Sequence, residues 1–223
     1  MSFNTRDSSV LRVAVSLACC LSIGAAIGSR TTRARTAGDD PAPALAETET
    51  DEAASIAAFS AAYSVFSHPR CLNCHPAGNA PLQGDDSHPH AFRVQRGADG
   101  GGLPALRCSN CHQAANLSGE HMPPGAGFPP EEKEPSFKPR WHLPSQQNPL
   151  VFEVRTPGQL CRQLKDSRQN GGLSLQQLIQ HVTSDRLVLW GWNPGEGRTK
   201  PPISHAEFVE KITEWINKGA ACP

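Results

Sequence analysis

The chain has 223 residues and balances 21 basic against 21 acidic side chains, so its formal charge is zero. That balance argues against a nucleic-acid-binding surface, which needs a clustered basic excess. Twenty prolines, nineteen glycines and a 6% aromatic share describe a loop-rich chain, whose centre must be filled by disulfides, a metal or a large apolar cofactor.

Residues 1–28 carry the marks of an export signal. Arg6 and Arg12 precede an uncharged, mostly apolar run from Val13 to Ile27, and Ala26-Ile27-Gly28 offers small residues for cleavage. The run falls short of the roughly 20 residues of a membrane span. An uncleaved N-terminal anchor is the alternative, because Arg30, Arg33 and Arg35 stand just beyond. Residues 29–52 read as an acidic disordered tether, with Asp39, Asp40, Glu47, Glu49, Asp51 and Glu52 among Ala, Pro and Thr. The folded domain is expected over residues 53–223. It opens with a predicted helix from Ala53 to Phe66, with Ile56, Phe59, Tyr63 and Phe66 on one face. That face is expected to pack beside whatever the next segment binds.

The next segment is the most informative. "RCLNCHPAGN" begins at Arg70, and "RCSNCHQAAN" begins at Arg107, 37 positions later. Both contain C-x-x-C-H, the attachment sequence for c-type haem. Two thiols one chain turn apart can each add across a vinyl group of one porphyrin, forming thioethers, while the adjacent histidine ligates the iron. Cys71, Cys74 and His75 would hold one haem c, and Cys108, Cys111 and His112 a second. The same four cysteines also spell a four-thiolate zinc site, although that leaves both histidines unexplained. A disulfide within each C-x-x-C is a further alternative, but no thioredoxin-like strand and helix flank either copy. Thirty-seven residues are too few for two separate one-haem domains, so both haems are expected in one domain. Of the six cysteines beyond the signal, Cys161 and Cys222 are left over, and in an exported chain they are expected to pair.

From Pro76 to Asn148 the sequence predicts mainly loops. Thr156-Pro157 opens a predicted helix to about Asp166. Asn170-Gly171-Gly172 is a turn, and Ser174 caps a short helix with Leu175, Leu178 and Ile179. "WGWNPGEGR" from Trp190 is a rigid aromatic turn. It is either a packed corner or a haem contact through Trp190 or Trp192, with Arg198 on a propionate. Ser204 and Glu207 form a capping box for a last helix with Phe208, Ile212, Trp215 and Ile216 on its buried stripe, ended by Gly219. The fold class expected is mainly α with extensive loops, a compact dihaem cytochrome c-like domain.

The far side of each iron decides between wire and enzyme, because an open position admits peroxide or a gas. Beyond Met1 there is one methionine, Met122, so at most one haem can be His/Met. Seven histidines remain outside the two motifs. His90, in "SHPH" between the motifs, and His181, at the end of a capped helix, are the first distal candidates. His68 and Met122 are the next.

Two C-x-x-C-H motifs behind a signal resemble an exported dihaem c-type cytochrome, similar in plan to the small subunit of periplasmic nitrate reductase. "HPRCLNCHPAG", "VQRGADGGG", "LCRQLKD", "NGG", "LVLWGWNPG" and "GAACP", spanning roughly His68 to Pro223, resemble proteins labelled as a subunit of isoquinoline 1-oxidoreductase. That resemblance implies a haem partner for an exported molybdenum hydroxylase. The chain itself has neither a molybdopterin signature nor iron–sulfur cysteine spacing, so its place would be as electron acceptor. The expected function is periplasmic electron transfer with a redox partner protein, without a catalytic reaction of its own. Membrane contact is expected only if the N-terminal segment stays uncleaved. A dihaem peroxidase or a haem-based sensor with one open iron is the alternative.

Overall fold

A computed structural model describes residues 43–127 and 141–223; the expected signal segment and the first part of the expected tether lie outside them. The described residues form six α-helices and two minimal hairpins, so they are mainly α: α1 (Pro43–Phe66), α2 (Pro69–Leu72), α3 (Pro157–Lys165), α4 (Leu175–Ser184), α5 (Arg186–Trp190) and α6 (His205–Asn217). The first hairpin pairs β1 (Leu82–Gln83) with β2 (His88–Pro89), and the second pairs β3 (Gly102–Leu103) with β4 (Leu106–Arg107). None of these helices is long and apolar enough to cross a membrane.

The helix starts follow the sequence signals. Thr156 accepts from the Gln159 amide while the Gln159 side chain accepts from the Thr156 amide, a reciprocal box that starts α3. Ser174 and Gln177 do the same for α4. Ser204 Oγ accepts from the Glu207 amide at the start of α6. The five-residue α5 follows Asp185, whose carboxylate accepts from the Leu187 and Val188 amides.

Helix α1 corrects the expected tether boundary. It begins at Pro43, ten residues before the predicted helix, so residues 43–52 are helical rather than a disordered linker. Alanine and glutamate favour helix. The extension also finds a partner, since Lys218 Nζ donates to Asp51 at 2.5 Å.

The buried stripe of α1 is Ser55, Ala58, Phe59, Ala62, Val65 and Phe66, a 3.6-residue rhythm carried partly by small residues. Ile56 and Tyr63 are only half-buried. The stripe packs chiefly on α6. Phe59 lies 4.9 Å from Trp215, and Ser55 Oγ bridges the chain by donating to the Trp215 carbonyl and accepting from the Ala221 amide. Phe66, Phe152, Leu160, Leu164, Phe208 and Ile212 complete this helical core. A second, smaller cluster gathers Cys108, Trp141 and Trp190.

Cys161 and Cys222 form a disulfide, with Cα atoms 5.6 Å apart across a separation of 61 residues. It ties the C-terminal tail to α3, where Cys161 is fully buried. Closing a loop of that length stabilises by about 4 kcal/mol in the chain-entropy account. Cys161→Ser with Cys222→Ser is therefore expected to lower the thermal midpoint markedly. The check is calorimetry of both proteins, and a reductant should move the parent toward the variant.

Candidate functional site

Each C-x-x-C-H segment forms one helical turn. In the first, α2 is capped by His68, and the turn continues as Cys74 N–H donates to the Cys71 carbonyl and His75 N–H to that of Leu72. In the second, a 3₁₀ turn over Cys108–Asn110 continues as Cys111 and His112 both donate to the Cys108 carbonyl. Cysteines three apart on such a turn share a face. All four remain free thiols. Burial pushes Cys71 up to about 12 and Cys74 up to about 11, so both stay protonated. No disulfide joins either pair in the structure. Among the described residues, no three His, Cys, Asp or Glu side chains converge as a metal site, so the four thiols do not make a zinc tetrahedron.

The two motif histidines sit in matching settings built from unrelated segments. His75 Nδ1 is 2.7 Å from the Leu150 carbonyl, and its ring stacks on Phe152 with centroids 3.9 Å apart at 12°. His112 Nδ1 is 2.9 Å from the Pro124 carbonyl, and its ring stacks on Trp141 with centroids 4.3 Å apart at 4°. A carbonyl only accepts, so it draws the ring proton onto Nδ1 and leaves the lone pair on Nε2. Burial lowers both rings to about 4, which keeps them neutral near pH 7. This is the outer-shell arrangement that orients a metal-ligating histidine.

The local backbone explains how the carbonyls get there. Phe152 and Glu153 amides both donate to the His75 carbonyl, laying residues 150–153 over the first motif. Over the second motif, Gly125 donates to Asn116 Oδ1 at 3.0 Å. A Cβ at Gly125 would meet the Gln113 carbonyl oxygen at 2.4 Å, so only glycine lets Pro124 approach His112 this closely.

A cavity of about 350 Å³ opens beside the second motif. Cys74 of the first motif borders it together with Cys108, Cys111 and His112 of the second. Trp141 and Trp190 form an apolar wall, meeting edge to face at 5.1 Å. Arg70, Arg107 and Arg198 also reach it. Arg70 is buried, contacts Asp85 and the Gly84 carbonyl, and lies 5.9 Å over the Trp190 ring. Its Nε has no hydrogen-bond partner. A mostly apolar cavity edged by three guanidinium groups suits a flat apolar molecule with carboxylate edges, and it borders three thiols and a neutral imidazole. The residues present fit a covalently held haem. Such an iron asks at most two ligands of the protein, because the porphyrin supplies four nitrogens.

The other ligand candidates are placed as follows. His90 lines the cavity, with its ring centroid 6.2 Å from that of His112. His181 is exposed on α4, with Nδ1 3.7 Å from the Asp185 carboxylate, and lies close enough to His75 for its charge to lower that ring further. His68 has both nitrogens engaged, Nδ1 accepting from the Arg70 amide and Nε2 3.5 Å from Thr199 Oγ1. Met122 is 42% exposed, with its carbonyl accepting from Arg198 and its amide donating to the Gly119 carbonyl. Trp190 borders the cavity, whereas Trp192 donates to the Ile203 carbonyl and packs on Phe208 in the helical core. Sequence reasoning missed Phe152 and Trp141 as ring supports. Neither stands near a motif in the chain, so no local signal marked them.

No protein-family model, curated protein or solved structure matches this chain.

Proposed function

We propose that this protein is an exported electron-transfer protein carrying two covalently attached c-type haems. One would be held by Cys71, Cys74 and His75, the other by Cys108, Cys111 and His112. The observation that carries the reading is the matched setting of the two histidines, each with Nδ1 on a backbone carbonyl and its ring on an aromatic. Chance would not build that arrangement twice from unrelated loops. The Cys161–Cys222 disulfide suits an oxidising compartment and supports export.

Bound haem supplies a one-electron couple at each motif. The chain's own part is to present Nε2 of His75 and His112, to keep water off the second site with Trp141 and Trp190, and to set Arg70 against negative charge. Cys74 borders the same cavity as the second motif, so the two attachment sites are neighbours, as a short electron path requires. Zero formal charge points to a partner recognised by shape and apolar contact more than by long-range steering. An exported molybdenum hydroxylase is the donor to try first, on the resemblance described above.

The test is expression with export and haem-attachment machinery, followed by denaturing mass spectrometry and a pyridine haemochrome assay. The expected mass is the processed chain plus two haems, with a thioether-type haemochrome. Double Cys→Ser replacement in one motif should remove one haem equivalent. A haem-free chain under those conditions would overturn the reading.

A further inference from the structure

We infer that His90 is the second protein ligand to the iron held by His112, making that centre a bis-histidine site; this rests on the haem reading above. Two imidazoles bound on opposite sides of one metal, each through a nitrogen about 2.0–2.1 Å away, have ring centroids roughly 6.3 Å apart. The His90 and His112 centroids are 6.2 Å apart. Both rings border the same cavity as Cys108 and Cys111, so the gap between them belongs to the space beside the thiols.

The tautomer agrees with the distance. His90 Nδ1 is 2.8 Å from the Ala91 carbonyl, which leaves Nε2 as its lone-pair nitrogen. His90 thus repeats the carbonyl-on-Nδ1 arrangement of His112. The backbone is bent to achieve it. Phe92 and Arg93, directly after Ala91, have φ of 59° and 51°, two consecutive non-glycine residues in the left-handed region. Such residues cost about 1–3 kcal/mol each and persist where a ligand clamp requires them. The first hairpin anchors the other side, with the His90 amide donating to the Pro81 carbonyl and Gln83 Oε1 accepting from the Ala91 amide.

Two other histidines border the cavity with different engagements. His88 Nδ1 is held at 2.6 Å by the Asp86 carboxylate on an exposed turn. His121 is exposed, with its ring against the Gly197 backbone. Neither shows a ring contact with His112.

The test compares the exported, haem-loaded protein with His90→Ala and His121→Ala. Mass spectrometry first establishes two haems per chain. Optical, electron paramagnetic resonance and carbon monoxide difference spectra follow. His90→Ala is expected to convert one haem of the two from low to high spin and to open it to carbon monoxide on reduction, and added imidazole should restore low spin. His121→Ala should leave the spectra unchanged. The 55° angle between the rings predicts a strongly anisotropic low-spin signal in the parent, and His90→Ala should remove it. Should His90→Ala fail to accumulate, His90→Met keeps a ligand in place and should move the near-infrared charge-transfer band of one haem to the His/Met position. Two attached haems with spectra unmoved by a His90 variant would overturn the assignment, and a spectrum moved by His121→Ala would transfer it to that residue. A chain without haem would overturn the functional reading, and this inference with it.

Discussion

Arg96→Ala is expected to lower the stability of the folded domain by roughly 3–5 kcal/mol. Arg96 is 1% exposed and, among the described residues, is in no ion pair with a carboxylate. Its guanidinium instead donates to four backbone carbonyls: Pro144 at 3.1 Å, Pro149 at 3.2 Å, Pro76 at 3.4 Å and Gly78 at 3.0 Å. Burial lowers its pKa from a value so high that the charge persists at neutral pH. Removing the side chain strands four carbonyls, each costing about 1–3 kcal/mol where water cannot reach. The staple joins the loop leaving the first motif to the loop ending at Pro149, one residue before the Leu150 carbonyl that orients His75. Loss of stability should therefore come with a disturbed first haem, seen as a shifted or broadened low-spin spectrum. Arg96→Lys keeps the charge but not the planar fork, so an intermediate loss is expected. Urea denaturation of all three proteins at equal haem content is the check. A loss for Arg96→Ala below about 1 kcal/mol would mean that water satisfies the carbonyls and the arginine is no staple.

Arg96 also shows where sequence reading ends. It stands inside "VQRGADGGG" with no periodicity around it, and nothing local distinguishes it from a surface arginine. Its role depends on four carbonyls between 18 and 53 positions away. The helix starts at Thr156, Ser174 and Ser204 were legible because a cap is a contact between residues three apart. The Cys161–Cys222 pair was legible by subtraction, once four cysteines were given to the motifs. The start of α1 was not, because an acidic composition says nothing about Trp215 on α6 and Lys218 just past its end, which receive Ser55 and Asp51. At the site, the two C-x-x-C-H motifs were legible because each is written in consecutive residues. The aromatic plates under the histidines come from Trp141 and Phe152, 29 and 77 positions downstream, and only the fold brings them there.

The two motifs should respond unequally to removal of their cysteines. Cys71 packs on the helical core, and His75 stacks on Phe152, which belongs to that core and meets Phe66 edge to face at 5.2 Å. The second motif belongs to the small cluster of Cys108, Trp141 and Trp190, which has no helix longer than α5. Cys108→Ser with Cys111→Ser is therefore expected to leave a folded protein with one haem, helical content near the parent's and an emptied, wetter second cavity. On the proposed reading, Cys71→Ser with Cys74→Ser removes the haem attached beside the main core, against which Cys71 packs. It should lower the thermal midpoint far more, and the remaining haem should be found in a smaller yield of folded chain. The difference follows from packing: the α1, α3, α4 and α6 core keeps Trp215, Leu160 and the disulfide in either case, but only the first motif reaches into it. Haem-to-protein ratio, far-ultraviolet circular dichroism and thermal unfolding of both double variants decide the matter. Equal loss of stability from the two would mean that the haems pack as one inseparable unit, and that Cys74, bordering the second cavity, couples the sites as strongly as either core holds its own.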